Sequence, residues 1–359
     1  MSTPTPPAPR VWVVVSDKAG DNAQVDAVVA RLPWPVELRR LVFGAAWVAG
    51  KPRFEASLDH VDLHRSDTLE PPWPDLVLTI GRRPAMAALW IKEQSGDRSK
   101  VVLFGRPKRW LHRFDLIVAP AQYDLPDAAN VLPIGLPLMR VEENRLAAAR
   151  EAWRDRFSEM PRPLIGVLVG GTTNPFVLNA NGAVELLCRA SAYREPGGSL
   201  FVTTSRRTPG EAIEAMRKGL PLRAELYEWR AGADANPYLG LLAHADGFVV
   251  TGDSMSMITE VARLGRPLAI HPLAERAQWR KRVRRALSGI GASIPSGPLA
   301  PLFARLGLYT FNRDLTHVHE WLFARGLAVP TGAPFTKATL PADDELTRVV
   351  ERVVALGKV

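Results

Sequence analysis

Short apolar runs alternate with helical patterns along most of the chain, and this alternation restricts the fold more than any other feature. In the first half, Val11–Val15 is continuously apolar and Leu76–Ile80 is apolar except for Thr79, whereas Gln24–Leu32 and Pro84–Lys92 have helical spacing. Continuous apolar runs of this length are typical of strands that are buried on both faces of a parallel sheet. Helical crossovers connect such strands, so the sequence predicts an α/β protein.

Two sets of these units follow one another along the chain. The remaining strand candidates of the first half are Val36–Leu41, Val101–Phe104, Leu116–Val118 and Val131–Ile134. The second half contains five strand–helix units, with strands predicted at Leu164–Val169, Leu200–Thr204, Leu226–Trp229, Phe248–Val250 and Leu268–Ile270. Thr208, Pro209 and Glu211 predict a capped helix start after the second of these strands. Each half therefore predicts one Rossmann-like sheet.

A charged helical stretch, Glu142–Phe157, is followed by Pro161 and Pro163 and is the best candidate for a domain boundary. At 359 residues the chain is long enough for two domains. We expect a disordered tail at residues 1–10, an N-terminal domain at 11–160, a C-terminal domain at 161–330, and a loop with a closing helix at 331–359.

The charge and the cysteine content restrict the partners and the compartment. The chain has 46 lysines and arginines against 37 acidic residues, and this net charge of +9 favours an anionic partner. The basic residues are dispersed and no nucleic-acid-binding module is present, so we expect no nucleic-acid partner. The single cysteine, Cys188, indicates a reducing, cytoplasmic compartment, and its helical pattern predicts a buried side chain.

Membrane and metal signals are weak in this sequence. No stretch reaches the ~20 apolar residues of a membrane span, so we expect any membrane contact to be peripheral. A basic amphipathic pattern from Arg276 to Ile290 could contact an anionic membrane, although a solvated helix face is favoured. The seven histidines have no metal-ligand spacing. We expect neither a metal nor a cofactor, and the oligomeric state stays open.

In parallel sheets ligands bind where strands end and helices begin, and the turn after the fourth strand of the second half is chemically the most unusual. Small and hydroxyl residues there leave backbone N–H groups at a helix start for a phosphate. A glutamate one turn further could accept hydrogen bonds from ribose hydroxyls. The candidate donor-binding residues of this turn are Thr251, Gly252, Asp253, Ser254, Ser256 and Glu260. The alternative is a simple helix cap with a solvated glutamate.

Two other turns of the second half are further candidates for donor binding. Gly170, Gly171 and Thr172 follow the first strand, where paired glycines either allow a ligand to approach the backbone or only form a tight turn. They do not form a GxGxxG fingerprint, which disfavours a nicotinamide dehydrogenase. Ser205 and Arg206 follow the second strand, where an arginine could bind an anion.

The first half has a polar loop directly after its first strand. Asp17 or Asp21 could act there as a general base toward an acceptor hydroxyl, and the alternative is ordinary turn chemistry. Asn22, Gln24 and, after another strand, Arg82 are candidate residues on the acceptor side.

These motifs together resemble the elongated-mitochondria, or mitochondrial fission protein, family over roughly residues 11–330. The matching segments are Asp21–Gln24, Gly170–Gly171, Val202–Pro209, Asn236–Tyr238 and Val250–Met257 with Glu260. The last of these segments is the most specific, and the first is less so.

The family's sequence pattern is similar to that of GT-B glycosyltransferases, especially the lipid-linked N-acetylglucosamine transferase of peptidoglycan synthesis. The resemblance implies a GT-B-like α/β fold, in which two Rossmann-type domains have parallel sheets that face each other across a cleft. It implies that Glu260 binds ribose and that Ser254, Ser256 and the Gly170–Gly171 turn lie on the phosphate side. The first-domain loop departs from the pattern, because it lacks the histidine-containing, glycine-rich acceptor loop.

We therefore expect a metal-independent glycosyltransferase that uses a nucleotide diphosphate sugar, with a UDP-type donor favoured and the base near Tyr227 and Trp229. The acceptor would be lipid-linked or related to the cell envelope, and the protein would dock on the inner membrane. The alternative is a non-catalytic GT-B-like adaptor at the membrane surface that recruits protein partners. Plant members of the family are associated with the recruitment of a dynamin-related fission protein.

Overall fold

The computed structural model divides into two compact units, each of which is described by itself. The first unit comprises Met1–Met139, Ser293–Asp314 and Ala342–Val359, and the second comprises Arg140–Ala292 and Leu315–Pro341. The residues that the structure describes are 8–44, 46–47, 53–123, 125–139, 141–173, 175–232, 235–275, 314–337 and 344–358.

A parallel sheet forms the centre of the first unit. Its elements are β1 (Val11–Val15), α1 (Ala19–Val29), β2 (Val36–Arg40), β3 (Leu76–Ile80), α2 (Arg82–Gln94), β4 (Lys100–Phe104), β5 (Leu116–Pro120) and β6 (Val131–Ile134). The six strands lie in the order β2-β1-β3-β4-β5-β6, and every neighbouring pair is parallel. The strands β1, β3 and β5 are buried along their whole lengths, which agrees with their almost entirely apolar sequences.

The second unit contains a second parallel sheet. Its elements are α3 (Glu143–Ala152), α4 (Arg154–Ser158), β7 (Leu164–Leu168), β8 (Phe176–Val177), α5 (Ala180–Ser191), β9 (Ser199–Thr203), α6 (Gly210–Lys218), β10 (Ala224–Tyr227), α7 (Tyr238–His244), β11 (Gly247–Thr251), α8 (Met255–Arg263), β12 (Leu268–His271), β13 (Ala274–Glu275), α9 (Thr316–Ala324) and β14 (Val329–Pro330). The six strands of this sheet lie in the order β10-β9-β7-β11-β12-β14, and β8 and β13 form a small antiparallel pair.

The strand order of the second sheet identifies one position at which a ligand is expected to bind. The chain moves outward from β7 through β9 to β10, and then returns to the other side of β7 with β11, β12 and β14. In such doubly wound sheets ligands bind at the carboxyl ends of the two strands where the order reverses, which here are β7 and β11. The two parallel sheets confirm the expected GT-B-like α/β fold with two Rossmann-type domains.

The last helix of the described chain, α10 (Asp344–Gly357), belongs to the first unit. Leu346, Val349 and Val353 recur at helical spacing on α10, and they are buried in one cluster with side chains of β1, β3 and β4. The carboxylate of Glu345 accepts a hydrogen bond from the backbone N–H of Gly135 at 2.7 Å. The sheet of the first unit is therefore covered on one face by a helix from the C-terminal segment.

The charged helical stretch that was expected to separate the domains packs as part of the second unit. Phe157 on α4 is fully buried, and its ring lies 5.2 Å from that of Phe201 on β9. Trp153 contacts α7 at Gly240, where a Cβ atom would lie 2.4 Å from Cγ of Trp153. Because of these contacts the division falls after Met139, upstream of the expected boundary at 160/161.

Two further expectations from the sequence differ from the structure, one near the N-terminus and one on α5. Arg10 was expected in a disordered tail, but its backbone N–H donates to Asp75 and its guanidinium pairs with Glu37 at 2.6 Å. Cys188 was expected to be buried, and this is wrong because the side chain is exposed. The buried positions of α5 are Ala183, Leu186, Leu187 and Ala190, a stripe that leaves Cys188 on the solvent side.

The helix α1 begins at Ala19, earlier than the predicted Gln24. Asp21 therefore lies in the first turn of a helix, where a negative charge is favoured by the helix dipole. Much of the polar loop expected after β1 is consequently helical, and only Ser16, Asp17 and Lys18 connect the strand to the helix.

The capping box predicted at Thr208, Pro209 and Glu211 is not formed. The helix α6 begins at Gly210, and Pro209 is its N-cap residue without a side-chain cap among the described hydrogen bonds. The Thr208 hydroxyl instead donates to the carbonyl oxygen of Gly170 at 2.6 Å. Its hydrogen bond thus joins two loops of the sheet instead of closing its own helix.

The contact between Gly240 and Trp153 gives a test of the domain division. Gly240→Ala places a methyl group against the indole close to the Trp153 backbone, so we expect a loss of about 1–3 kcal/mol in the free energy of unfolding. The matched control is Gly210→Ala, since no atom lies within 4 Å of its Cβ position. Urea unfolding of the three proteins measures the difference. Equal stability of Gly240→Ala and the control would contradict the packing of α4 on α7.

Candidate functional site

Three loops meet at the carboxyl ends of β7, β9 and β11. The backbone N–H of Gly170 donates to the Thr251 hydroxyl at 2.8 Å, and the N–H of Gly171 donates to the Asp253 carboxylate at 3.1 Å. From the loop after β9, the hydroxyls of Ser205 and Thr208 both donate to the carbonyl oxygen of Gly170. The turns that the sequence singled out separately therefore form one hydrogen-bonded cluster.

The close approach of these loops explains the paired glycines. A Cβ atom on Gly170 would lie 2.4 Å from Oδ1 of Asp253, and one on Gly171 would lie 2.0 Å from the carbonyl oxygen of Arg207. Neither position can accept a side chain without moving the neighbouring loop. The N–H groups of both glycines are already used by Thr251 and Asp253, and their predicted role toward a phosphate stays a prediction.

Asp253 is the acidic centre of the cluster, and its side chain is completely buried. Its Oδ1 accepts a hydrogen bond from the Thr251 hydroxyl at 2.8 Å, and its Oδ2 lies 2.9 Å from Nη1 of Arg207. Burial raises the pKa of Asp253, because the charged form loses its hydration. Arg207, Thr251 and the N–H of Gly171 act against this increase, since each of them stabilises the carboxylate.

Arg207, and not its neighbour Arg206, is the arginine that contacts the cluster. Its guanidinium pairs with Asp253, donates to the Thr173 hydroxyl and donates to Oγ of Ser254 at 3.2 Å. Arg206 is exposed, and no contact of its side chain with the three loops is present among the described residues. The anion-binding role predicted for Arg206 from the sequence stays a prediction, without a contact to support it.

The helix α8 presents its N-terminus beside Arg207. Ser254 is the N-cap residue, and its buried hydroxyl accepts from Arg207. Within the described chain, the N–H groups of Met255, Ser256 and Met257 have no recorded acceptor. The first N–H groups of a helix lack internal partners and carry its positive dipole end. Ser256 is exposed at this helix end, and the N-terminus of a helix favours an anion.

Glu260 lines a pocket of about 340 Å³ in the second unit. The other lining residues are Val141, Glu142, Arg145, Asn236, Tyr238 and Leu239. Ser256 and Glu260 are four residues apart on α8 and therefore share a helix face. The arrangement places a carboxylate in a recess one turn beyond the open helix end.

Tyr238 holds the carboxylate of Glu260 by donating its hydroxyl hydrogen to Oε2. Burial raises the pKa of Glu260, whereas the hydrogen bond from Tyr238 and the charge of Arg145 lower it. Burial and the adjacent carboxylate raise the pKa of Tyr238 well above its ordinary value. The pocket thus contains a carboxylate with incomplete hydration and one oxygen, Oε1, to which Tyr238 does not donate.

The remaining donor-side residues lie around these loops. The N–H of Gly252 donates to the carbonyl oxygen of His271 at 2.8 Å, which fixes the turn to β12. Thr172 is exposed, and its N–H donates to the carbonyl oxygen of Arg207 at 3.4 Å. Trp229 is half-buried beyond the end of β10, and its N–H donates to the Thr204 hydroxyl at 2.8 Å. Contact of Trp229 with a base stays a prediction.

The first unit brings its candidate residues to the carboxyl ends of β1 and β3. Asp17 is exposed directly after β1, and Gln24 is half-buried on α1. Asn22 on α1 donates from its side-chain amide to the carbonyl oxygen of Ser16 at 2.7 Å. Asp21 lies next to the other loop, since its Oδ2 is 4.0 Å from the Cβ position of Gly81. Arg82 is the first residue of α2, beside this contact.

The described residues contain neither a metal-binding cluster nor a membrane-spanning helix. Among the described residues, no three histidine, cysteine, aspartate or glutamate side chains are grouped so that they could hold a metal ion. In the same part of the chain, none of the helices combines the length and the apolar character that a membrane crossing requires. The basic pattern from Arg276 to Ile290 lies outside the described residues.

Sequence reasoning missed Arg207, Thr173, Tyr238 and Arg145. The sequence shows Arg206 and Arg207 as a pair. Which of the two contacts the cluster depends on the turn that is fixed by the hydrogen bond from the Thr208 hydroxyl to Gly170. Tyr238 belongs to the Asn236–Tyr238 segment that marks the start of α7, so its position at a helix start was a usable signal. Arg145 lies on α3, which had been assigned to the boundary instead of the second unit.

The fold defines a GT-B-like α/β protein with two Rossmann-type domains. The chain belongs to the family described as Mitochondrial fission ELM1, whose model matches residues 19–296.

Three similar proteins are two curated relatives and one solved structure. The Mitochondrial fission protein ELM1 of Arabidopsis thaliana is 29% identical over 236 residues, which cover 59% of this chain and 55% of that protein. The chain thus spans about half the length of the plant relative. The protein RP120 of Rickettsia prowazekii (strain Madrid E) is 24% identical over 299 residues, which cover 73% of this chain and 82% of that protein. The solved UDP-GlcNAc 2-epimerase of Methanocaldococcus jannaschii is 9% identical with a TM-score of 0.48, and the superposition covers 96% of this chain and 99% of the epimerase.

The raised pKa of Glu260 predicts a pH-dependent effect of Glu260→Gln on stability. The unfolded chain releases this proton near the ordinary value of 4.5, whereas the folded chain holds it to higher pH. The folded state therefore binds more protons in that window, and the wild type loses stability as the pH rises through it. Glutamine does not titrate, so the Tm of Glu260→Gln relative to the wild type should increase from about pH 4 to about pH 8.

Thermal unfolding at several pH values measures this difference. Glu143→Gln, which removes one exposed carboxylate from α3, is the control for a change in net charge. A relative Tm for Glu260→Gln that is flat or falls with pH would show that burial does not destabilise the charged form of Glu260.

Proposed function

We propose that the second unit binds a nucleotide diphosphate sugar and that the protein transfers the sugar to an acceptor. The observation that carries this proposal is the arrangement on α8. An open helix N-terminus beside Arg207 is followed, one turn later on the same face, by Glu260 in a pocket. Phosphate and ribose are neighbours in a nucleotide, and the two features supply an anion site and a hydroxyl acceptor in that sequence.

The diphosphate would bind at the start of α8. The N–H groups of Met255, Ser256 and Met257 would donate to phosphate oxygens, and the guanidinium of Arg207 would add a charge-assisted hydrogen bond. The N–H groups of Gly170 and Gly171 already donate to Thr251 and Asp253. The start of α8 is therefore better able to donate hydrogen bonds to a phosphate.

The nucleoside would occupy the pocket at Glu260. The carboxylate has one oxygen held by Tyr238, and Oε1 would accept hydrogen bonds from the ribose hydroxyls. Arg145 and Asn236 line the same pocket and would contribute further polar contacts. A UDP-type donor is favoured, as the sequence analysis expects, with Trp229 near the base.

The proposed transfer of the sugar to the acceptor would use these contacts. The acceptor hydroxyl oxygen forms a bond to C1 of the sugar, and the bond between C1 and the diphosphate oxygen breaks. The hydroxyl proton passes to a general base, for which Asp21 and Asp17 are the candidates, and the nucleoside diphosphate leaves with its negative charge. Arg207 and the α8 N-terminus would stabilise that charge as it develops, which is a preorganised electrostatic role.

The acceptor and the place of action are further parts of the proposal. The net charge of +9 suits a surface with anionic lipids, where a lipid-linked or cell-envelope acceptor would be available. The protein would then be cytoplasmic and peripheral at the inner membrane.

The second candidate function is a non-catalytic adaptor that recruits protein partners at a membrane surface. The internal hydrogen bonds of Gly170 and Gly171 favour it, because the loop between β7 and α5 is closed by the protein's own side chains. The name of the plant relative, a mitochondrial fission protein, fits the same candidate. For an adaptor, Glu260→Ala would leave the biological activity intact, whereas substitution of surface arginines would abolish it.

Arg207→Gln tests donor binding directly. A hydrogen bond to a charged group contributes about 1.5–3 kcal/mol, so the affinity for uridine diphosphate and UDP-sugars should fall about 10–100-fold. Isothermal titration calorimetry measures the affinity. Arg206→Gln is the matched control, since it removes the same charge from the adjacent, exposed position. Absence of binding by the wild type across a panel of nucleotides and nucleotide sugars would refute the proposed function.

Asp21→Asn tests the assignment of the general base. Loss of a general base should lower kcat about a hundredfold or more, while the affinity for the donor nucleotide stays unchanged. Asp17→Asn is the parallel variant, because Asp17 lies in the connection just before the helix that carries Asp21 and is the other candidate. Rates of sugar transfer to water or to an added acceptor measure the effect. If both variants retain the wild-type rate, the base does not come from the segment that follows β1.

A further inference from the structure

A cluster of cationic side chains lies at the carboxyl edge of the first unit's sheet. The strands β3 and β4 are parallel neighbours, with Ile80 opposite Phe104. The loops that follow them therefore leave the sheet side by side. The start of α2, directly after β3, contributes Arg82 and Arg83, and the loop after β4 contributes Arg106, Lys108 and Arg109.

The charges of these loops act on one another. Burial lowers the pKa of Arg82, and the charges of Arg83 and Arg109 lower it further. Burial also lowers the pKa of His60, and the charges of Arg83 and Arg82 act in the same direction, while Asp59 opposes them. Two groups on different segments thus experience a positive field at this edge.

The backbone around the cluster is arranged in an unusual way. Gly105 has φ 104° and Trp110 has φ 56°, so the basic loop after β4 both begins and ends with a residue in the left-handed region. Such a conformation is costly for tryptophan and persists only where its surroundings enforce it. Trp110 is held by its ring contacts with Phe54 and Arg113. The N-terminus of α2 adds its positive dipole end, since Arg82 is its first residue.

We propose that this edge is an anion site for a phosphate or pyrophosphate group, with Arg82 and Arg109 as its main ligands. Arginine suits such a group because its planar guanidinium donates two parallel hydrogen bonds to phosphate oxygens. Arg83 is directed elsewhere, since it donates to the carbonyl oxygen of Trp47 and lies over the ring of Phe43. Arg106 lies over the ring of Tyr123 and forms the rim of the cluster.

The residues of this site all belong to the first unit, and none of them is among the residues proposed to bind the donor. Phosphate binding here does not depend on the proposed function. Assignment of this phosphate to the sugar acceptor, in contrast, rests on the proposed function. The acceptor would then be a phosphorylated or pyrophosphate-linked molecule, and Asp21 would lie next to the site at Gly81.

The test uses the full chain with Arg207→Gln as background, so that pyrophosphate binding at α8 is weakened. In this background, calorimetric titration with pyrophosphate should show binding that Arg82→Gln/Arg109→Gln weakens at least about tenfold. The matched control is Arg31→Gln/Arg65→Gln, which removes two exposed arginines of the same unit and should change the affinity little. Hydrogen exchange should show that pyrophosphate protects the amides of 81–85 and 105–110.

A second arm distinguishes a soluble phosphate from a lipid headgroup. Vesicles of phosphatidylcholine with phosphatidic acid should co-sediment the protein, with loss in Arg82→Gln/Arg109→Gln, if the phosphate is carried by a lipid. Binding of pyrophosphate or of vesicles that depends on the two arginines supports the site in either form. Equal binding by the double variant and its control, or no binding of either probe, overturns it.

A single variant keeps the proposal testable if the double variant misfolds. Arg109→Gln changes a loop residue outside helices and strands, and it should weaken binding without lowering Tm. Protection of amides elsewhere in the first unit, in place of 81–85 and 105–110, would also overturn the proposal. None of these outcomes affects the comparison of Arg207→Gln with Arg206→Gln, so the two proposals fail independently.

Discussion

The buried carboxylate of Asp253 is the interaction on which the carboxyl edge of the second sheet depends. It joins the loop after β11 to the glycine turn after β7 and to Arg207 from the loop after β9. A charge without hydration is costly unless it is paired and fully hydrogen-bonded. Thr251, Gly171 and Arg207 meet that requirement together, so the three loops must keep one arrangement to keep the carboxylate satisfied.

This arrangement has a consequence for where an external anion can bind. Asp253 takes the Gly171 N–H that a phosphate would otherwise use, and Thr251 takes that of Gly170. The same interaction positions Arg207 beside Ser254, at the start of α8. The internal anion thus closes the turn after β7 and places a cation at the helix end. In the proposed function, this helix end with its fixed cation is the part of the edge that would receive the diphosphate.

The sequence was sufficient for the sheets and for the position of the candidate site. Apolar runs predicted the observed bounds of β1 and β3, because strands that are buried on both faces contain few polar residues. The site followed from strand order, since the ends of neighbouring parallel strands must lie together. The bounds of the second unit could not be predicted in this way. They depend on Trp153 fitting against Gly240, which no periodicity reveals.

The individual side chains of the site also depend on contacts between distant segments. The choice of Arg207 over Arg206 follows from the turn that Thr208 fixes against Gly170, and the environment of Glu260 follows from Tyr238 on another helix. The dispersal of the basic residues along the sequence hides their spatial arrangement in the same way. Arg82 and Arg109 are far apart in the chain, but the parallel pairing of β3 and β4 brings their loops to one edge. A positive net charge that looks diffuse in composition is therefore locally concentrated, because a parallel sheet places every loop after a strand on the same side.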